Sequence, residues 1–164
     1  YTIINKAIDV IRSIPFIILI FILIPFSRML VGTSIGVKGA YTALICGTVP
    51  FFARQIESAI AEVDKGLVEA SAAMGFSPLE IIKDVYLKES IPSIVRVSMI
   101  TMVNLIGLTA MSGAVGAGGL GDFAIRYGYQ LNYRDMIWVT VILILFLVSV
   151  VQLIGNMIIK KTTH

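Results

Sequence analysis

The sequence predicts an all-α fold, specifically a polytopic helical membrane protein. Three observations carry this prediction. Of 164 residues, 57% are hydrophobic and only 14% are charged, whereas soluble domains carry about 25% charged residues. The mean hydropathy is +0.93. Two long runs, Val97–Gly121 and Met136–Ile159, contain no charged side chain, and each is long enough to cross ~30 Å of hydrocarbon as a helix. The formal charge of +3 is small and scattered, which argues against nucleic acid as a partner. Cys46, the single cysteine, cannot form an internal disulfide and reads as a small packing residue in an apolar run.

Tyr1–Arg12 places Ile4, Ala7, Ile8 and Ile11 at helical spacing, with Lys6, Asp9 and Arg12 between them. It reads as the approach to a first span. The chain begins at Tyr1 rather than Met and opens inside this pattern, so upstream sequence is expected; no signal-peptide pattern is read. Ser13–Ser27 is uncharged but short for a span. Ile11 and Met29-Leu30-Val31 extend it, Arg12 and Arg28 can snorkel, and Pro15 and Pro25 should bend it. Gly32–Gly36 reads as a turn, and its GxxxG spacing sits at a span end, where it carries little weight as a packing motif. A second span runs from about Gly39 into Ile60, with Pro50 as a kink. Arg54 and Glu57 then stand at i,i+3 spacing, read as an ion pair at the membrane edge.

The polar stretch Gly66–Pro92 separates the second span from the third and carries the densest local grammar. Glu69–Met74 is a run of mostly good helix formers, and Gly75 sits where a left-handed C-terminal cap belongs. Ser77-Pro78-Leu79-Glu80 restarts a helix: Ser77 caps, Pro78 fits the first turn, and Glu80 completes a capping box. The second helix should run about three turns, with Leu79, Ile82 and Tyr86 on its apolar side. Two readings are open for this unit, docking on a soluble partner or lying on the bilayer surface. Val97–Gly121 then holds the third span. Met136–Ile159 is the strongest span, about 36 Å long as a helix.

Four spans put both termini on one side. If Gly66–Pro92 shares that side, Lys6, Arg12, Arg54, Lys65, Lys83, Lys88, Arg96, Lys160 and Lys161 gather there, against Arg28, Lys38, Arg126 and Arg134 opposite. The excess of positive charge predicts a cytoplasmic loop and C-terminus.

Gly116-Ala117-Gly118-Gly119-Leu120-Gly121 satisfies GxGxxG, and Asp135 lies near the distance of a ribose-binding acid. No strand precedes the glycines, so a dinucleotide site is rejected. Gly116, Gly118, Gly119 and Gly121 are read instead either as a mouth-lining or re-entrant loop or as a plain flexible turn. The only histidine, His164, stands at the extreme end, which removes His-based triads and histidine-rich metal sites. The carboxylates from Glu57 to Glu89 are interleaved with lysines and read as a solvated face. No Walker A pattern is present, so ATP hydrolysis is not expected on this chain. No catalytic residue or metal ligand is assigned. Within the third span, Asn104 must find a partner or face a polar cavity. Met111 and Ser112 lie beside it as candidates for a pathway or gate, and gap-filling between helices is the alternative for Met111.

The central loop resembles the signature loop of bacterial ABC-importer permeases. Glu69, Ala70, Gly75 and Leu87 agree in register. Ser71 replaces an alanine, Val85 replaces an isoleucine, Lys88 stands where proline is usual, and Pro92 is expected to supply the missing turn. More widely, Arg12–Gly36, Val68–Gly75 and Ser112–Gln130 resemble the membrane subunit of methionine importers. The resemblance implies the type I importer permease fold in a bacterial cytoplasmic membrane. That family has five spans, so the first is expected to lie outside this sequence.

It also implies partners. Two copies would form the pathway. Val68, Glu69, Ala70, Ser71, Ala72, Met74, Gly75, Ser77, Pro78 and Glu80 would dock on a cytoplasmic ATPase dimer holding ATP and Mg, with no cofactor on this chain. An external binding protein would deliver methionine to the face spanning Gly113–Tyr133. A permease for another nutrient, a small intramembrane enzyme such as a lipid phosphotransferase, and a membrane scaffold are the competing readings.

Overall fold

The computed structural model describes the backbone of residues 2–162 and the side chains of that range except 2–4 and 7. Expectations for Tyr1, for the side chains of Ile4 and Ala7, and for His164 lie outside the described residues. Every regular element among the described residues is helical.

Helix α1 (Thr2–Ser13) breaks at Ile14-Pro15, and α2 (Phe16–Val31) begins. Pro15 has extended dihedrals, and no side chain caps α2. The expected bend at Pro15 is thus a complete break, while Pro25 is carried inside α2. Gly32 ends α2 in a left-handed conformation, φ +78°. The turn is pinned by Thr33, whose hydroxyl donates to the Ile35 carbonyl and accepts from the Ile35 amide. Helix α3 (Gly36–Ala61) then returns. A Cβ at Gly39 would collide with the Ser34 backbone, so only glycine lets α3 start this close to the turn.

Helix α4 (Lys65–Ala73) leads through Gly75 to α5 (Pro78–Glu80), a π-helical segment (Ile81–Tyr86) and α6 (Leu87–Gly113). The last three run as one helix, Pro78–Gly113. This corrects the expectation of a separate loop helix ended by a turn at Pro92. Pro92 lies inside α6. Its ring removes a single amide donor, and the carbonyl that loses its partner belongs to exposed Lys88, where solvent can serve it. The expected apolar side is also shifted. Leu79 and Ile82 are exposed, Tyr86 is half-buried and Val85 is buried; from Ile81 onward the wider π turn takes the side chains out of a 3.6-residue register.

The uncharged run to Gly121 does not continue as a helix. α6 ends at Gly113, and α7 (Gly119–Phe123) folds back on it, succeeded by a π-helical segment (Ala124–Gln130) and α8 (Arg134–Thr162). α3 packs on α2 and α6, and α6 packs on α8.

By length and composition, Pro78–Gly113 and Arg134–Thr162 each suffice to cross a membrane; α2 and α3 qualify only together, as a pair bent by 115°. The sequence predicts four spans, the first of them short; by this measure the first two count only as one bent pair. α2 has 16 residues, about 24 Å at ~1.5 Å per residue, and α3 carries Lys38, Arg54 and Glu57.

Beside Leu19, Ile20 and Val85, the interior is made mostly of small residues. Ala40, Ala43, Ala59 and Ala117 are buried, as are Ser71, Ser90, Thr101, Ser112 and Thr140. The hydroxyls of Ser90, Thr101 and Thr140 donate to carbonyls one turn back, at 2.6, 2.8 and 2.8 Å. Small side chains bring helix backbones close, which is how helices associate where lipid removes the hydrophobic drive between them. The large apolar side chains of α8, among them Ile142, Phe146 and Leu153, are exposed on its outer face.

Candidate functional site

The polar loop has its own internal bonding. The Asp64 carboxylate accepts from the Gly66 amide at 2.7 Å and starts α4. Ser71 is buried, and its hydroxyl donates to the Leu67 carbonyl at 2.8 Å. Gly75, φ +88°, ends the helix. Its amide donates to the Ala72 carbonyl at 3.0 Å, and the Phe76 amide to the Ser71 carbonyl at 3.2 Å, a Schellman arrangement. Ser77 restarts the chain with a full capping box: its amide donates to the Glu80 carboxylate at 2.7 Å, and its hydroxyl accepts from the Glu80 amide at 3.4 Å. Asp84 and Lys88 pair at 2.6 Å. Ser93 donates to Glu62 at 3.0 Å and ties α6 to the residue that ends α3.

Of the loop residues singled out from sequence, Val68 is half-buried and Ser71 buried. Glu69, Ala70, Ala72, Met74, Gly75, Ser77, Pro78 and Glu80 are exposed. Met74 at 70% and Leu79 at 78% exposure stand out, with exposed Leu67, Phe76 and Ile82 nearby in the chain. The unit thus holds apolar side chains outward on a backbone capped by bonds within the unit.

At the other end, the glycine run is a tight fold-back. Gly116, Gly118 and Gly119 all have φ near +80°. Gly113 and Gly121 are buried, and a Cβ on Gly121 would strike the Ala110 carbonyl. The Gly36 amide donates to the Gly116 carbonyl at 3.1 Å and joins the α2–α3 turn to this loop. Arg126 pairs with Asp122 at 2.8 Å, and Arg28 donates to Ser34 at 3.3 Å.

Asn104 and Met111 are seven residues apart on α6 and share an exposed face. Ser112 is not with them. It is buried, donates to the Thr109 carbonyl at 2.7 Å, and lines a separate apolar cleft of about 230 Å³ with Ala40, Ala110 and Ala117. Arg54 pairs with Glu57 as expected and also reaches Asp9 on α1 at 3.6 Å. No spacing in the sequence signals that link between distant segments. Among the described residues, no group of His, Cys, Asp or Glu is arranged to hold a metal.

A chain of apolar helices carrying a capped polar loop and a glycine-rich fold-back has the architecture of a polytopic membrane subunit. The chain belongs to the family of binding-protein-dependent transport system inner membrane components, whose model matches residues 1–164. It is 43% identical over 153 residues to a probable D-methionine transport system permease protein, MetI, of Vibrio cholerae, covering 93% of this chain and 68% of that one. It is also 43% identical over 157 residues to the methionine import system permease protein MetP of Bacillus subtilis, covering 96% and 71%. A solved inward-facing MetNI methionine ABC transporter contains a chain of the same fold, with TM-score 0.92 and 42% identity over 100% of this chain and 76% of that one.

Proposed function

We propose that this chain is the membrane subunit of an ATP-driven methionine importer, active as a pair of copies. Its similarity to permeases named for methionine transport supports the substrate. The observation that carries the coupling role is the α4–Gly75–Ser77 unit, a capped and internally bonded hinge presenting Met74 and Leu79 to a partner. In this reading the unit docks on a cytoplasmic ATPase dimer, which holds ATP and Mg and performs the hydrolysis. Buried Ser71 anchors α4 to its own chain, while Glu69, Ala70, Ala72 and Met74 face the partner. The loop and the C-terminus are cytoplasmic. The mouth around Gly116, Gly118, Gly119 and Gly121 receives an external binding protein. Asn104 and Met111 line the path between the copies. Coupling is then a differential preference of the ATPase, with and without nucleotide, for two arrangements of the permease pair.

The test is ATP-dependent uptake of labelled methionine by the full-length permease, co-expressed with its ATPase and binding protein in cells lacking a methionine importer. Parent uptake is expected, and Gly75→Trp should abolish it at normal membrane levels, because φ +88° at that position strains any side chain. Uptake that survives Gly75→Trp contradicts the docking role. An assembled, hydrolysing complex that carries no methionine contradicts the substrate.

A further inference from the structure

An open groove of about 410 Å³ lies where the α1–α2 break meets α3 and α6. Small-molecule sites typically occupy roughly 300–1,000 Å³. Its lining is mixed. Arg12 comes from α1, Asn104 from α6, and Phe16, Leu19, Phe51 and Leu108 supply apolar surface. The Arg12 guanidinium carbon stands 5.7 Å from the centre of the Phe51 ring, within cation–π range. Among the described residues, no carboxylate lies in ion-pair range of Arg12, whereas neighbouring Arg54 is taken by Asp9 and Glu57. Arg12 is therefore a cation set against an aromatic face with its forked donors open, the geometry that favours a planar carboxylate. Asn104 offers both donors and an acceptor, and it sits in the uncharged part of α6, where a polar side chain calls for a partner. Gly47 keeps the groove open on the α3 side, since a Cβ there would stand 3.3 Å from the Phe16 ring.

Building on the importer reading above, we propose that this groove is a substrate subsite for a free zwitterionic amino acid with an unbranched apolar side chain. Arg12 holds the α-carboxylate, Asn104 accepts from the α-ammonium, and the side chain lies along Phe16, Leu19 and Leu108. Both polar residues line the same groove, as contact with one small zwitterion requires.

The experiment uses the assembled permease–ATPase complex, purified without binding protein, and a diazirine analogue of methionine. After illumination, label is expected on permease peptides containing Phe16–Leu19 or Leu108. Excess methionine should remove it, and methionine methyl ester, which lacks the carboxylate, should not. Arg12→Gln should weaken labelling roughly tenfold or more, the scale of one charge-assisted hydrogen bond. Asn104→Leu should weaken it less, and Arg12→Lys should restore part. Label confined to the ATPase chain, or labelling unchanged in Arg12→Gln, overturns the subsite. The same complexes in proteoliposomes, with binding protein and ATP, are assayed for uptake. Uptake without groove labelling sinks the subsite alone, and hydrolysis without uptake sinks the importer reading on which it rests.

Discussion

At the residue scale, glycine decides where this chain can close on itself. Gly121 faces the Ala110 carbonyl, Gly113 faces the Gly121–Asp122 backbone, and Gly155 of α8 faces the Met99 side chain of α6. The two kinds of contact differ in how they yield. Met99 is flexible and can swing aside, but the Ala110 carbonyl belongs to a helix backbone. Gly121→Val is therefore expected to destabilise the fold-back by the overpacking range of about 1–3 kcal/mol or more, whereas Gly155→Ala should cost less. Thermal unfolding of the detergent-solubilised complex, with both variants side by side, would rank them. Equal midpoints would remove the backbone argument. Sequence marks the glycine run as a close approach or a turn without choosing. The choice needs the partner, because a glycine tolerates proximity, strain or nothing, and the residue alone does not say which.

At the scale of elements, the loop is the most legible part of the chain and the helix after it the least. Asp64, Gly75, Ser77 and Glu80 act through neighbours within a few residues, so capping rules read from sequence apply directly. Ser77→Ala should cost about 0.5–2 kcal/mol locally. Amide exchange should accelerate around the first turn after Ser77 and stay unchanged in α8, as deuterium uptake of the loop peptides would report. Protection equal to the parent's would mean that the capping box does not hold this turn. The π-helical segments Ile81–Tyr86 and Ala124–Gln130 have no comparable local signature. A π turn is adopted when packing on both sides demands an extra residue per turn, and that demand comes from tertiary neighbours. The same is true of Pro92, where a helix-breaking residue is absorbed because the helix on both sides of it is already held.

At the scale of the whole molecule, the charge distribution predicts orientation. The face bearing Lys83, Lys88, Lys160 and Lys161 should be cytoplasmic, and the face bearing Arg126 and Arg134 external. In intact cells, with Cys46 replaced by alanine, a membrane-impermeant maleimide should label Tyr129→Cys but not Leu79→Cys. Both parent residues are highly exposed, so access rather than burial decides the result. Labelling of Leu79→Cys in unbroken cells would invert the topology and place the proposed docking unit on the wrong side. The ion pair from Arg54 to Asp9 and the Gly36–Gly116 backbone bond each join segments far apart in the chain, one near the polar loop and one at the glycine fold-back. Together they hold α1 and the α2–α3 turn against the later helices.

Composition and uncharged run length settled the class, an all-helical membrane chain, because the cost of burying charge in lipid acts on every residue whatever the fold. Local spacing settled the capped hinge, because caps depend on neighbours three or four residues away. The tertiary structure alone decided which apolar faces are covered, where the helices break or widen, and that Arg12 and Asn104 share a recess. Those outcomes depend on helices meeting across the membrane, and the contacts that fix them join residues that no local pattern places together.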